Sequence, residues 1–228
     1  DTARTPYGPR SEPEVRRFVG EIIDYLDGRG VKLVVIACNT LTVLGVDTLK
    51  GSHAFEIVGM SKGAQLVLAA SSRKKIGVFA TEFTINSGAH KAAILAADDG
   101  ADVYPQACPK FVPLIEGEQF DGAEVRAAVA EYAAPLKVAG IDTLILSCTH
   151  YPFIQKEIES EFGSEVTVID PADATAQDTK TVLAAEGLLR SEGAGTLEVC
   201  FTADVERGAR IAGRVLPQGK CLFKEIKL

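Results

Sequence analysis

The chain has 228 residues, of which 46% are hydrophobic and 24% are charged, and its formal net charge is −7. Such a chain is long enough for one domain with a large core or for two smaller ones. The acidic balance and the lack of a Lys/Arg-rich patch argue against nucleic acid or an anionic membrane as a partner. No apolar run approaches the roughly 20 residues of a membrane-spanning helix, and the first residues have no signal-peptide pattern. We therefore expect a cytoplasmic protein.

The five cysteines are widely spaced and include no Cys-x-x-Cys pair. An odd number without close pairs supports neither a disulfide framework nor a zinc site. Reduced thiols are what the cytoplasm favours. The sequence also has no GxGxxG motif and no GxxxxGK loop, so nothing in it predicts a nucleotide or a metal.

The first half of the chain alternates helix and strand patterns. A polar cap at Ser11 with an early proline begins a helix that should end near Gly28. The run 33–37 is apolar and predicts a strand buried on both faces of a parallel sheet. A helix carrying Leu41, Leu44 and Leu49 should follow, and then a short strand over 56–59 and a helix over 64–70.

The second half repeats this alternation. Strands are expected over 75–80, 101–104, 143–147 and 166–170, with helices over 89–98, 122–139, 151–162 and 172–191. We expect 108–117 to be a connection too broken by proline for a helix, and the runs 196–202 and 221–227 to be strands that return to the first sheet. Strands alternating with helices predict an α/β fold with parallel sheets.

One sequence pattern occurs once in each half of the chain. Each occurrence is a run of branched apolar residues that stops at a cysteine and turns polar, first at Cys38 and then at Cys148. Ligands bind at the carboxyl ends of parallel strands, where backbone N–H groups converge unpaired. The two strand ends therefore indicate two similar sites that face one ligand.

Four motifs in series carry a resemblance to a known family. They are Asp1-Thr-Ala-Arg with Pro6-Tyr7-Gly8, then Ala37-Cys38-Asn39-Thr40, then Cys108-Pro with Phe111-Val-Pro113 and Glu116, and finally Cys148-Thr149-His150-Tyr151-Pro152. In this order and spacing they resemble the glutamate racemase branch of the aspartate/glutamate racemases over nearly the whole chain.

The resemblance implies two pseudo-symmetric α/β domains with the active site in the cleft between them, no cofactor, no metal, and glutamate as substrate. We assign 1–62 plus 172–228 to the first domain and 63–171 to the second. The resemblance implies one catalytic cysteine per domain, with Cys38 acting on D-glutamate and Cys148 on L-glutamate. It also implies a homodimer, a supply of D-glutamate for peptidoglycan, and substrate contacts from Pro6, Tyr7, Gly8, Asn39, Thr40, Thr149 and His150.

The chemistry agrees with two thiols. Racemisation removes the α-proton from one face and returns a proton to the other, so one fixed base is not enough. A cysteine with a pKa of about 8.5 needs only a modest shift to work near neutral pH. His150, Asp1 and Glu116 are candidates for assisting the thiols. Thr84 is a further candidate for ligand contact, with helix capping as its alternative role.

The chain departs from the family in several places. The family begins with a strand and a glycine-rich loop whose Asp-Ser pair helps to hold the substrate ammonium, and this sequence starts after both. We therefore expect the chain as given to bind glutamate weakly or not at all. Ser147 and His90 stand where glycine and tyrosine are commoner.

Three other functions stay open. Aspartate racemase is the nearest, although the Cys-Thr-His-Tyr-Pro stretch weighs against it. A Cys-His hydrolase or amidase would pair Cys148 with His150, but residues two apart at such a turn seldom face each other, and Cys38 would be idle. A non-catalytic amino-acid-binding protein would need neither cysteine.

Overall fold

The computed structural model describes residues 1–44, 49, 51, 53–193, 195–216 and 221–228. In this part of the chain every strand pairing is parallel, which confirms the predicted α/β class. The strands are β1 (Leu33–Ile36), β2 (Glu56–Gly59), β3 (Lys75–Ala80), β4 (Asp102–Ala107), β5 (Thr143–Ser147), β6 (Thr167–Ile169), β7 (Leu197–Phe201) and β8 (Cys221–Glu225).

The helices alternate with the strands as the sequence predicts. They are α1 (Glu12–Asp27), α2 (Asn39–Val43), α3 (Ala64–Ala70), α4 (Glu82–Asn86), α5 (Ala89–Ala97), α6 (Phe111–Glu116), α7 (Ala123–Ala139), α8 (Gln155–Phe162), α9 (Ala172–Ala185) and α10 (Val205–Ala212). Two short 3₁₀ turns, Tyr151–Ile154 and Gly163–Glu165, flank α8. The predicted helix through Leu49 lies partly outside the described residues.

The largest sheet has the order β4-β3-β5-β6. All five residues of β5 are buried, because apolar clusters cover both faces of the sheet. One cluster includes side chains from α6, α7 and α8, and the other includes side chains from α3 and α5. Pro105 is tolerated because β4 is an edge strand, where a missing N–H leaves no neighbour unpaired.

A second sheet pairs β1 with β2, and α1 packs on it through Val15, Val19 and Ile23. The expectation that the whole run 33–37 is buried on both faces is wrong. Val35 is 39% exposed, while its neighbours Val34 and Ile36 are buried. The side chains alternate across the strand, and in the described structure only one face of β1 meets the core.

The segment 108–117, expected to be irregular, contains helix α6. Pro113 is the third residue of this helix. The first four N–H groups of a helix have no intrahelical partner, so proline loses no hydrogen bond there. The expectation that proline prevents a helix here is therefore wrong, because Pro113 stands in the first turn.

The C-terminal predictions need two corrections. β7 and β8 do not return to the first sheet but pair with each other, with α10 between them. Helix α9 ends at Ala185 and not at Ser191. Gly187 at φ +66° stops it in a Schellman motif, in which Leu188 N–H donates to the Leu183 carbonyl at 2.8 Å.

None of the helices in the described ranges is long and apolar enough to cross a membrane. The division into domains 1–62 plus 172–228 and 63–171 stays a prediction.

Candidate active site

The ends of β1 and β5 meet at one cavity of about 310 Å³, which both Cys38 and Cys148 line. This volume lies at the lower end of the range for small-ligand sites, roughly 300–1,000 Å³. The two turns also touch, because the Thr149 hydroxyl donates to the Ala37 carbonyl at 3.3 Å. The two strand ends therefore lie together, as the sequence predicts.

Cys38 is half-buried and stands at the N-cap of α2. Burial raises the pKa of its thiol, and the N–H groups of Leu41 and Thr40 and the Thr40 hydroxyl act in the opposite direction. A short helix begins here because Asn39 and Thr40 follow an extended residue, leaving the first N–H groups free to point at the sulfur. The groups that support this thiolate are neutral.

Cys148 is buried, with 8% of the residue exposed. Burial raises the pKa of this thiol to about 12, the His150 N–H opposes the rise, and the charge of Cys38 adds to it. The two thiols therefore lie close enough to repel each other when both are ionised. Coupling of this kind disfavours the state in which both thiols are ionised.

His150 connects Cys148 to a carboxylate. Its Nδ1 lies 4.0 Å from Cys148 Sγ, at the outer limit for a sulfur hydrogen bond, and its Nε2 lies 2.7 Å from Glu116 Oε1. The expectation that residues two apart do not face each other is wrong here, because the backbone turns into a 3₁₀ helix directly after His150. An ionised Glu116 holds the proton on Nε2, so a neutral ring presents Nδ1 to the thiol as an acceptor.

Glu116 does not line the cavity but lies behind His150. The hydrogen bond from His150, with smaller electrostatic contributions from His150 and Arg207, holds the pKa of this carboxyl below its usual value despite partial burial. Arg207 Nη1 donates to Glu116 Oε2 at 3.0 Å. Sequence reasoning missed Arg207, because nothing in its local pattern indicates a partner 91 residues earlier.

Three threonines form the wall beside Cys38. Thr40 Oγ1 lies 3.0 Å from Thr81 Oγ1 and 3.4 Å from Thr84 Oγ1, and Thr81 bonds Thr84 at 3.0 Å. Thr40 and Thr81 line the cavity, whereas Thr84 lies behind them. The helix cap expected of Thr84 is Thr81, whose hydroxyl accepts from the Thr84 backbone N–H at the start of α4. At the cavity wall Thr81 therefore stands where Thr84 was expected.

The N-terminal segment closes one side of the cavity through Asp1, Pro6, Tyr7 and Gly8. The Tyr7 hydroxyl donates to Asp1 Oδ2 at 2.6 Å, and burial raises the pKa of this phenol to about 12. The Asp1 carboxylate also accepts from Arg4 Nε at 2.7 Å and from Thr202 Oγ1 at 2.8 Å. With these partners Asp1 fixes the segment, and its assistance to the thiols stays a prediction.

Two buried polar atoms at the cavity lack a hydrogen-bond partner within the described part of the chain. They are Asn39 Nδ2 and Ser147 Oγ. Buried polar groups are normally paired, so unpaired ones at a cavity are available to a ligand. Asn39 was expected here from the sequence, whereas Ser147 was noted only as a departure from the family. Cys108 also lines the cavity, and burial raises the pKa of its thiol.

Within the described ranges, no three His, Cys, Asp or Glu side chains are grouped so that they could hold a metal ion.

Known proteins resemble this chain over its whole length. The sequence profile of the Asp/Glu/Hydantoin racemase family matches residues 1–179, a range that includes both cysteine turns. A glutamate racemase from Lysinibacillus sphaericus (strain C3-41) is 39% identical over 230 residues, which cover 100% of this chain and 87% of that protein.

Solved structures agree with the sequence matches. Glutamate racemase isoform RacE1 from Bacillus anthracis has a TM-score of 0.91 at 33% identity, covering 100% of this chain and 86% of that one. Glutamate racemase from Francisella tularensis, solved with D-glutamate, has a TM-score of 0.86 at 27% identity, covering 100% and 85%. The whole architecture, and not the cavity alone, is shared.

Proposed function

Since the chain belongs to the Asp/Glu/Hydantoin racemase family, we propose that it interconverts L- and D-glutamate by proton transfer between two thiols, without a cofactor. The observation that carries the proposal is the pair Cys38 and Cys148, which come from two different sheets and line one cavity. A racemase needs two acid/base groups around one α-carbon. A cavity bounded by two thiols from different sheets supplies them.

In the direction from L- to D-glutamate, the Cys148 thiolate takes the α-proton and becomes a thiol, and the Cys38 thiol returns its own proton to the other face and becomes a thiolate. The reverse direction exchanges these roles. The coupling between the two thiols supports this cycle, because it disfavours ionisation of both thiols at once, and each half-reaction needs one thiol that keeps its proton. No net proton is gained or lost.

His150 assists Cys148 in this proposal. Its Nδ1 receives the thiol proton, and Glu116 on Nε2 stabilises the imidazolium that forms. On the opposite side, the N–H groups of α2 and the Thr40 hydroxyl stabilise the Cys38 thiolate. Each thiol thus has its own means of carrying negative charge.

Glutamate offers two carboxylates and an ammonium to the cavity. The unpaired Asn39 amide and Ser147 hydroxyl supply hydrogen bonds to a carboxylate, and Thr40 supplies a hydroxyl beside Cys38. We propose contacts from Pro6, Tyr7 and Gly8 at the N-terminal wall. Thr149 already donates to Ala37, so its contact with substrate would be through its backbone N–H.

The activity is tested by following D-glutamate formation from L-glutamate with a coupled assay and by circular dichroism. L-aspartate run in parallel separates the aspartate racemase alternative. Ammonia release from glutamine or asparagine tests the Cys-His hydrolase or amidase alternative. The distance of 4.0 Å between Cys148 Sγ and His150 Nδ1 is the observation that favours this alternative. Binding of glutamate in calorimetry without turnover would favour the non-catalytic alternative and overturn the proposal.

We also propose that the product D-glutamate supplies peptidoglycan synthesis, that the protein works in the cytoplasm, and that it forms a homodimer. Rescue of a bacterial strain that requires added D-glutamate tests the first, and cell fractionation tests the second. Light scattering tests the third, since a monomeric mass at micromolar concentration would contradict it.

A further inference from the structure

Helix α10 reaches across to the end of α6 through one arginine. Arg207 Nη1 donates to Glu116 Oε2 at 3.0 Å and to the Glu116 backbone carbonyl, also at 3.0 Å. The two side chains are 27% and 23% exposed, so neither is a freely solvated surface charge. One nitrogen thus binds the carboxylate and the backbone of the same residue, which fixes the side-chain torsions of Glu116.

Arg207 is itself held in place. Asp204 caps α10 by accepting from the Arg207 backbone N–H at 3.2 Å, and its second oxygen accepts from Arg207 Nε at 3.0 Å. One turn further, Arg210 pairs with Glu118 at 2.6 Å and 3.1 Å, on the exposed side of the same contact. The guanidinium of Arg207 therefore has a defined orientation before it meets Glu116.

We propose that Arg207 is a positioning residue for proton transfer at Cys148, acting through Glu116 and His150. Arg207 binds Glu116 Oε2, which leaves Oε1 directed at His150 Nε2 at 2.7 Å. His150 then keeps its Nε2 proton and turns Nδ1 toward Cys148 Sγ. This inference rests on the proposed function for its kinetic readout, but its structural content concerns only the reactivity of one thiol.

The charges around Glu116 define what losing Arg207 would do. Glu116 faces His150 and Arg207. The Arg207 charge acts with the larger effect of the His150 hydrogen bond to lower the Glu116 pKa. Without Arg207 that pKa rises, so Glu116 becomes protonated at a higher pH, and the hydrogen bond from Nε2 then loses the assistance of the negative charge.

Three variants test the proposal. Arg207→Gln removes the positive charge, and Arg207→Lys keeps a positive charge on an ammonium in place of the guanidinium. Arg210→Gln is the control, because it removes the neighbouring exposed ion pair with Glu118 and leaves the contacts of Glu116 unchanged. We expect kcat/KM for glutamate to fall roughly tenfold to a hundredfold in Arg207→Gln, as for a lost charge-assisted hydrogen bond. Arg207→Lys should recover most of the loss, and Arg210→Gln should stay within about twofold of the parent.

Two kinetic readouts separate positioning from general damage to the structure. The acid limb of the kcat/KM profile should move to higher pH in Arg207→Gln only. The α-deuterium isotope effect should rise with L-glutamate, whose proton Cys148 removes, and fall with D-glutamate. An unshifted acid limb, or equal losses in Arg207→Gln and Arg210→Gln, would overturn the proposal.

The alkylation rate of Cys148, followed by iodoacetamide labelling and peptide mass spectrometry, needs no racemase activity. In Arg207→Gln this rate at pH 7.5 should fall several-fold while the rate at Cys38 is unchanged. Equal Cys148 rates in the parent and Arg207→Gln would sink the positioning role even if the chain proved inactive on glutamate. An inactive parent with altered Cys148 labelling would instead contradict the proposed function and keep this inference.

Discussion

Cys38 and Cys148 both follow a parallel strand and line the same cavity, but different groups surround them. The first thiol is half-buried among backbone N–H groups and a threonine hydroxyl, none of which titrates near neutral pH. The second is buried and backed by a histidine, a glutamate and an arginine in series. Equivalent places in a repeated fold can therefore support the same chemistry by neutral dipoles on one side and by charges on the other.

The largest effect should come from removing either thiol. Cys38→Ser and Cys148→Ser should each lower kcat/KM by about 10³-fold or more, because a hydroxyl is a far weaker acid than a thiol and each face has one base. Cys200→Ser is the matched control, since Cys200 does not line the cavity. Near-normal turnover in either cavity variant, measured with both enantiomers, would contradict the two-thiol mechanism, because one of the two thiols would then be dispensable.

Glu116→Gln tests the charged side. It should lower kcat/KM roughly tenfold to a hundredfold, because the charge-assisted hydrogen bond to His150 is lost. The isotope effect with α-deuterated L-glutamate should increase, since the Cys148 step becomes slower. Glu118→Gln is the control, being an exposed partner of Arg210. Equal losses of kcat/KM in Glu116→Gln and Glu118→Gln would contradict a role for the Glu116 charge in supporting Cys148.

Thr40→Val tests the neutral side. One neutral hydrogen bond contributes about 0.5–1.5 kcal/mol, so a loss of roughly threefold to tenfold is expected. Here the isotope effect should increase with D-glutamate, the mirror image of Glu116→Gln. Thr181→Val removes a hydroxyl on α9 that bonds only its own helix, so it serves as the control. An increase with L-glutamate instead would reverse the assignment of the thiols.

The smallest effect on activity is expected at His90, which lies behind the neutral wall and shares a small cavity with Thr84. Burial, with a contribution from Lys62, lowers the pKa of His90 to about 4 from its ordinary 6.5. The unfolded chain therefore takes up this proton first as the pH falls. Stability should decrease between about pH 6.5 and 4, by roughly 2.5 × 1.36, or about 3 kcal/mol.

His90→Phe should remove that part of the pH dependence. Urea unfolding at pH 7.0 and 4.5 is the measurement, and the quantity to compare is the difference between parent and variant, because carboxylates contribute to both. Activity at pH 8 should be unchanged, since His90 does not line the active-site cavity. Identical pH dependence of stability in both proteins would show that His90 is not buried in its neutral form.

Local patterns predicted the strands and the two cysteine turns, because an apolar run that ends in polar residues reports burial and its end at the same time. They failed where the position within a helix mattered, as at Pro113, and where two strands could pair with several partners, as at β7 and β8. Pairing of strands depends on the whole fold and leaves little trace in a single segment.

The site divides in the same way. Asn39 and Thr40 directly follow Cys38, and His150 directly follows the Cys148 turn, so the sequence identified them. Ser147 was noted only as a departure from the family, because its missing hydrogen bond is visible only in three dimensions. The local sequence does not identify Arg207, because its contact with Glu116 joins residues 91 positions apart.

The late position of α10 has a consequence for how the protein is made. Arg207 leaves the ribosome roughly 60 residues after Cys148, which at about 5–20 residues per second is roughly 3–12 seconds later. The main sheet can fold in that interval from its own strands. Thr202 and Arg207 then bind Asp1 and Glu116 across long loops, a kind of contact that forms slowly. We expect the nascent chain to hold both thiols in folded surroundings before either can react, so that catalytic competence is acquired after the sheet and not with it.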